Sequence, residues 1–259
     1  MKIDLNNRVA IVTGGAEGIG KEISRQFLKE GTKVAIWDNN QALLESSTQE
    51  FNEQYPESCI GIVCDVSSSK DVLKATMETN LRFGTIDILV ANAGVVNTQK
   101  VCDISEADWD RVFNVNTKGV FLCCKNVAEI FKKNFKGRII IASSFAAIIP
   151  SVGSSAYASS KSAVKSLTRV LASELAPFNI TVNCYAPGMI PTSMSKIEEF
   201  SKDRQEEMLD SLSIREWGKA EDIASLVIFL ASDQARYITG TMIDASGGKF
   251  ATQFPKLAW

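Results

Sequence analysis

The sequence contains no histidine. Chemistry that turns on an imidazole, a Ser-His-Asp triad above all, is therefore disfavoured, and a zinc site would lack its usual nitrogen ligand. Six cysteines, at 59, 64, 102, 123, 124 and 184, never occur in CxxC spacing, and several sit in apolar runs such as VFLCCK and SCIGIVCD. That is the pattern of small buried thiols in a reducing compartment, so no metal is expected. A charge excess is missing too: 28 Lys+Arg against 30 Asp+Glu leave a formal −2. Nothing here offers nucleic acid a basic face, and no like-charged run suggests an interaction tail. Long hydrophobic runs are also lacking. The N-terminus, MKIDLNNRVAIVTGG, carries Lys2, Asp4 and Arg8 around a short apolar run, too little for a signal peptide or a membrane span. A soluble cytoplasmic protein without a membrane partner is expected.

What is present is alternation. RVAIVT (8–13), KVAIWD (33–38), CIGIVCD (59–65), IDILVANAG (86–94), GRIIIASS (137–144), ITVNCYAP (180–187) and TMIDASGG (241–248) read as strands. Helical stretches separate them, at 19–31, after Asn40, from Ser69 to Gly84, as two segments across about 105–135, and around 155–176 and 220–232. Continuously apolar strands indicate a sheet buried on both faces. The β-α rhythm predicts an α/β fold, a Rossmann-like doubly wound parallel sheet with helices on both faces. No linker composition divides residues 1–259, so a single domain is expected. The one break in rhythm is 188–216, too long for a βα connection. Its mixture of apolar and charged residues suits either a substrate-covering insertion or a solvated helix pair.

Strand RVAIVT runs directly into TGGAEGIG (13–20) and then a helix. Gly14, Gly18 and Gly20 permit a tight turn and close approach of a diphosphate, with Glu17 and Ile19 inside the same loop. The helix N-terminus adds free N–H groups and partial positive charge. Asp38 ends the second strand 18 residues after Gly20. A carboxylate there can accept hydrogen bonds from an adenosine ribose and repel a 2′-phosphate. Neither Glu17 nor Asn39 is a cation that would offset that repulsion, so NAD is the expected cofactor.

SSAYASSK (154–161) sets Tyr157 and Lys161 four positions apart, on one face of a helix. These motifs, with CDV (64–66), ANAG (91–94), NVN (114–116), IIIASS (139–144) and YAPGMIPT (185–192), resemble the short-chain dehydrogenase/reductase family from about residue 6 to 249. The resemblance implies Tyr157 as general acid/base and Ser144 as donor to the substrate oxygen. It implies that Lys161 bonds the nicotinamide ribose and that Asn116 holds a water linking Lys161 to solvent. A free phenol ionises near 10, so the Lys161 charge is expected to favour phenolate. Asp65 and Val66 match positions at the adenine, and Asn92, Ala93 and Gly94 the central crevice. Pro187, Gly188, Ile190 and Thr192 match the segment that holds the carboxamide and diphosphate.

The implied activity is reversible, NAD(H)-dependent interconversion of a secondary alcohol and its ketone. Polyols, sugars, diols and hydroxysteroids all fit as small-molecule substrates. A 3-oxoacyl-carrier-protein reductase is the alternative on the same fold, and a non-catalytic NAD-sensing scaffold the alternative of another class. Ser144, Ala146, Val152, Ile190 and Met194 are expected near the substrate. Two departures stand out: Ala91 where the family usually has Asn, and Ser246 where an acid is common. The tail KFATQFPKLAW is idiosyncratic, and its Phe250, Phe254, Leu257 and Trp259 suit a subunit interface or pocket. Since family members are commonly tetramers, a homotetramer is expected.

Overall fold

The computed structural model describes residues 3–259. Seven strands form one parallel sheet: β1 (Val9–Thr13), β2 (Lys33–Asp38), β3 (Cys59–Val63), β4 (Ile88–Ala91), β5 (Gly137–Ala142), β6 (Ile180–Pro187) and β7 (Met242–Ala245). Their spatial order is β3-β2-β1-β4-β5-β6-β7. Helices α1 (Gly18–Lys29), α2 (Gln41–Gln54), α3 (Ser69–Phe83), α4 (Glu106–Phe113), α5 (Val120–Asn134), α6 (Ser155–Leu175), α7 (Lys202–Leu209) and α8 (Ala220–Ala231) connect them. Every residue of β1, β4 and β5 is buried, as their predominantly Val/Ile/Leu/Ala runs require in a sheet covered twice. One core, with Trp37, Leu89, Phe131 and Ile141, packs beneath α3, α5 and α6. The other, with Ile23, Phe27, Val90 and Val227, packs beneath α1 and α8.

Side-chain caps set several helix starts. Asn40, Ser68 and Ser105 accept hydrogen bonds from the N–H groups of Leu43, Asp71 and Asp108, and Gly84 closes α3 in the left-handed region at φ +81°. The sequence reading runs strands too far at their C-terminal ends. Asn92–Gly94 and Ser143–Ser144 lie beyond β4 and β5, because the Asn92 and Ala93 N–H groups turn to the Thr13 hydroxyl and the Ser144 hydroxyl caps the turn by accepting from Ala146 N–H. The 105–135 stretch is continuous rather than two separate helices, joined through a π-helical segment at Asn114–Gly119. Residues 188–216 hold only a short 3-10 turn, Ile197–Glu199, and α7. Among the described residues no helix is long and apolar enough to cross a membrane.

This topology positions the site. After β1 the chain winds toward β2 and β3, then returns past β1 to lay β4 on its other side. The connections leaving β1 and β4 therefore diverge and open a crevice at the C-terminal edge of the sheet, where ligands bind in such folds.

Candidate active site

The turn from β1 into α1 forms one wall of the crevice. Gly14 and Gly18 adopt φ of +60° and +54°, which glycine takes without strain. A methyl group at Gly20 would lie 2.0 Å from the Gly14 carbonyl oxygen, so α1 can approach β1 only with glycine there. Glu17, at the start of α1, makes no side-chain cap, which leaves the first helical N–H groups for a ligand. A clamp absent from the sequence reading holds this loop. Asn92 Nδ2 donates to the carbonyls of Thr13 and Gly14, both at 3.1 Å, while its Oδ1 accepts from the Tyr185 hydroxyl at 2.9 Å. The Thr13 hydroxyl accepts from the N–H groups of Asn92 and Ala93. Tyr185 is fully buried on β6, and burial pushes its phenol far above the ordinary range. It lay within the quoted YAPG motif, but nothing local revealed its partner 93 residues away.

The cleft has a volume of about 330 Å³. Its lining gathers Gly14, Glu17, Gly18, Ile19, Gly20, Asp38, Asp65, Val66, Asn92, Ala93, Gly94, Tyr157, Lys161, Pro187, Thr192 and Met194. At one end the Asp38 carboxylate is oriented by the N–H groups of Ala16 (3.2 Å) and Asn40 (3.0 Å). Asp65 is oriented similarly by Ser67. Lys161, at the other end, is the only cation among the lining residues. Ser193 donates to the Glu17 carboxylate at 2.8 Å, tying the 188–216 segment to the glycine loop across the mouth.

Tyr157 and Lys161 rise from the first turns of α6, behind β5 and the 3-10 turn that begins after Ser144. The Lys161 ammonium is buried, donates to the Ala142 carbonyl at 2.8 Å and stands 5.9 Å from the centre of the Tyr157 ring. Burial lowers its pKa to about 8. Burial also raises the Tyr157 phenol above its ordinary value, against a smaller downward pull from a hydrogen bond with Ser144. At this phenol desolvation outweighs the Ser144 hydrogen bond.

Asn116 lies in the π-helical segment and is wholly buried. Its side chain accepts from Val95 N–H (2.8 Å) and donates to Val95 C=O (2.9 Å) and Ser160 Oγ (3.0 Å). It touches the centre through Gly94, where an added methyl group would meet Asn116 Oδ1 and Lys161 Nζ, each at 3.3 Å.

Other expected residues are placed differently. Val152 is 87 % exposed on a turn and does not line the cleft. Ile190 sends its side chain into the α1/α8 core, leaving only its backbone for a ligand. Ala146 is buried behind the Ser144 turn. Gly188 lies where its backbone abuts Ser246, whose Cα would sit 2.5 Å from an added methyl group. The C-terminal tail is partly docked on its own chain, with Phe250 beside Phe145 and Pro255 buried, whereas Phe254, Leu257 and Trp259 are exposed.

Comparison with known proteins bears on this geometry. A family model described as Enoyl-(Acyl carrier protein) reductase matches residues 14–249. Human dehydrogenase/reductase SDR family member 4 is 38% identical over 245 residues, covering 94% of this chain and 88% of that protein. The 3-oxoacyl-acyl-carrier-protein reductase FabG of Thermotoga maritima is 36% identical over 244 residues, covering 94% and 98%. Among solved structures, levodione reductase superposes with a TM-score of 0.91 at 31% identity, covering 96% and 99% of the two chains.

Proposed function

Because the chain belongs to the short-chain dehydrogenase/reductase family of nicotinamide-dependent oxidoreductases, we propose that it interconverts a secondary alcohol and its ketone with NAD(H). The observation that carries the reading is one cleft with a glycine loop and Asp38 at one end and the buried Tyr157–Lys161 pair at the other. Bound there, the dinucleotide supplies the hydride acceptor or donor.

This chain's residues do the rest. Gly14, Gly18, Ile19 and Gly20 offer backbone N–H groups to the diphosphate, and Asp38 takes the ribose hydroxyls. A 2′-phosphate beside Asp38 would meet no compensating cation, since Glu17 and Asn39 are its neighbours in the lining. Asp65 and Val66 flank the adenine. Pro187, Gly188, Ile190 and Thr192 hold the nicotinamide end, and Asn92, Ala93 and Gly94 form the floor. The Tyr157 hydroxyl would give its proton to the carbonyl oxygen in reduction and, as phenolate, would take it back from the alcohol in oxidation. Ser144 donates a hydrogen bond to the same oxygen as charge develops. Lys161, anchored on Ala142, presents positive charge and donors to the nicotinamide ribose, and Asn116 fixes the Val95 backbone beside it. The Glu17–Ser193 bond supports 188–216 as a cover over the bound substrate. The exposed Phe254, Leu257 and Trp259 support a homotetramer in which the tail meets a neighbour, measurable as mass in solution.

The test is NADH against NADPH oxidation over a panel of ketones. NADH is expected to give the higher kcat/KM by at least about tenfold, since one unpaired charge at a binding site is worth that or more. A preference for NADPH would overturn the cofactor reading. The FabG relatives favour a second reading, a 3-oxoacyl thioester reductase; that reading predicts the best rates with acyl thioesters in the same panel.

A further inference from the structure

Residues 246–250 are held against three walls. Gly188 N–H donates to the Ala245 carbonyl at 3.0 Å, and Gly188 abuts Ser246. The Ser213 hydroxyl donates to the Gly248 carbonyl at 2.9 Å, fastening the stretch after β7 to the segment after α7. Phe250 packs on Phe145, the residue following Ser144, with ring centres 6.5 Å apart. Lys249 sits within this enclosure. Its ammonium donates to Ser211 Oγ at 2.8 Å and lies 5.7 Å from the centre of the Phe145 ring. It is half-buried, and Ser211 is its sole hydrogen-bond partner among the described residues, with no carboxylate paired to it. Of the acids in α7 and at its end, Glu206 and Asp210 are engaged instead by Arg215, and Glu207 by Arg204. Partial burial lowers the Lys249 pKa, the mark of a cation short of a counter-charge.

A half-buried cation without an anion, set against the ring of the residue that follows Ser144, is a poor stabilising device and a good recognition device. We propose that Lys249 is a specificity-determining residue that binds a carboxylate of the substrate, which makes the substrate an oxo acid and its hydroxy acid rather than a neutral polyol or steroid. The proposal rests on the oxidoreductase reading above and narrows its substrate class. The Ser211 hydroxyl would share the ammonium with the carboxylate, beside the Phe145 ring on which Phe250 packs.

The test compares 3-oxobutanoate, 4-oxopentanoate and 5-oxohexanoate with their methyl esters, using NADH and wild type, Lys249→Met and Lys249→Arg. In wild type the acid/ester ratio of kcat/KM exceeds about tenfold for at least one chain length, the worth of a hydrogen bond to a charged group. Lys249→Met should collapse that ratio through KM, and Lys249→Arg should restore most of it. An acid/ester ratio unchanged by Lys249→Met would overturn the proposal while leaving the oxidoreductase reading intact. If no ketone turns over, that reading fails by itself, and calorimetry with the same acids on NADH-loaded protein still decides Lys249. Weaker acid binding in Lys249→Met supports the assignment; equal binding in both proteins refutes it.

Discussion

Lys161 is held where an ammonium is costly, and that cost has a sign that can be measured. Its pKa falls from 10.5 to about 8 in the fold. Between those values the unfolded chain binds the proton and the folded one does not, so the penalty is full below about pH 8 and fades by about pH 10.5. A shift of that size corresponds to roughly 3 kcal/mol, offset by about 1–2 kcal/mol from the bond to Ala142 that Lys161→Met would forfeit. Lys161→Met is therefore expected to be more stable than wild type by about 1–2 kcal/mol at pH 7, with the gain vanishing near pH 10, in urea melts at the two pH values. A variant less stable at pH 7 would show that the ammonium is not strained. Asp38 admits a cleaner test. Asp38→Ala should lower the NADH/NADPH ratio of kcat/KM by about tenfold or more, because it removes both the ribose acceptor and the charge facing a 2′-phosphate. Both residues were legible in the sequence, since strand-end acid and i,i+4 spacing are local signals. Lys249 was not, because its significance lies in the absence of a partner that only the packed structure reveals.

At the scale of elements, the β1–α1 junction carries the binding function and tolerates least. Gly20→Ala forces a methyl group to within 2.0 Å of the Gly14 carbonyl, which is backbone and can yield only if α1 shifts. The expected result is a loss of dinucleotide binding, read by NADH fluorescence, together with a destabilisation of about 1–3 kcal/mol. Tyr185→Phe is the milder counterpart. It leaves Asn92 Oδ1 without its donor and is expected to cost about 1–3 kcal/mol, checked by thermal denaturation. The loop was readable from its glycines, whereas the clamp that fixes it was not. Asn92 follows β4, Tyr185 lies on β6, and only the sheet order brings them across the end of β5. Ile190 shows the converse: an apolar residue in a ligand-binding motif reads as a contact, yet the core beneath α8 claims its side chain. The π-helical segment likewise left no local signature, although it is what carries Asn116 to Val95 and Ser160.

For the molecule as a whole, the sheet divides labour between its two edges. The C-terminal edge bears the cleft, while the N-terminal edge is fastened by ions. Asp233 receives Arg8 at 2.6 Å, Arg138 at 3.1 Å and Lys136 at 3.7 Å, joining the start of β1, the start of β5 and the end of α8. Arg138 is buried, but Asp233 is 55 % exposed, so the network is worth less than a fully buried one. The overall architecture was legible because seven apolar strands separated by helical stretches admit few arrangements. The tail's own docking on Phe145 was not, being set by surfaces distant in sequence.

The central claim is that Tyr157 handles the proton while the cleft binds the dinucleotide independently of it. Steady-state ketone reduction by Tyr157→Phe, paired with NADH titration by fluorescence, tests it directly. The account predicts a fall in kcat of about 10²–10⁴-fold, the usual worth of a positioned general acid, with NADH affinity nearly unchanged. Turnover close to wild type in that variant would contradict it.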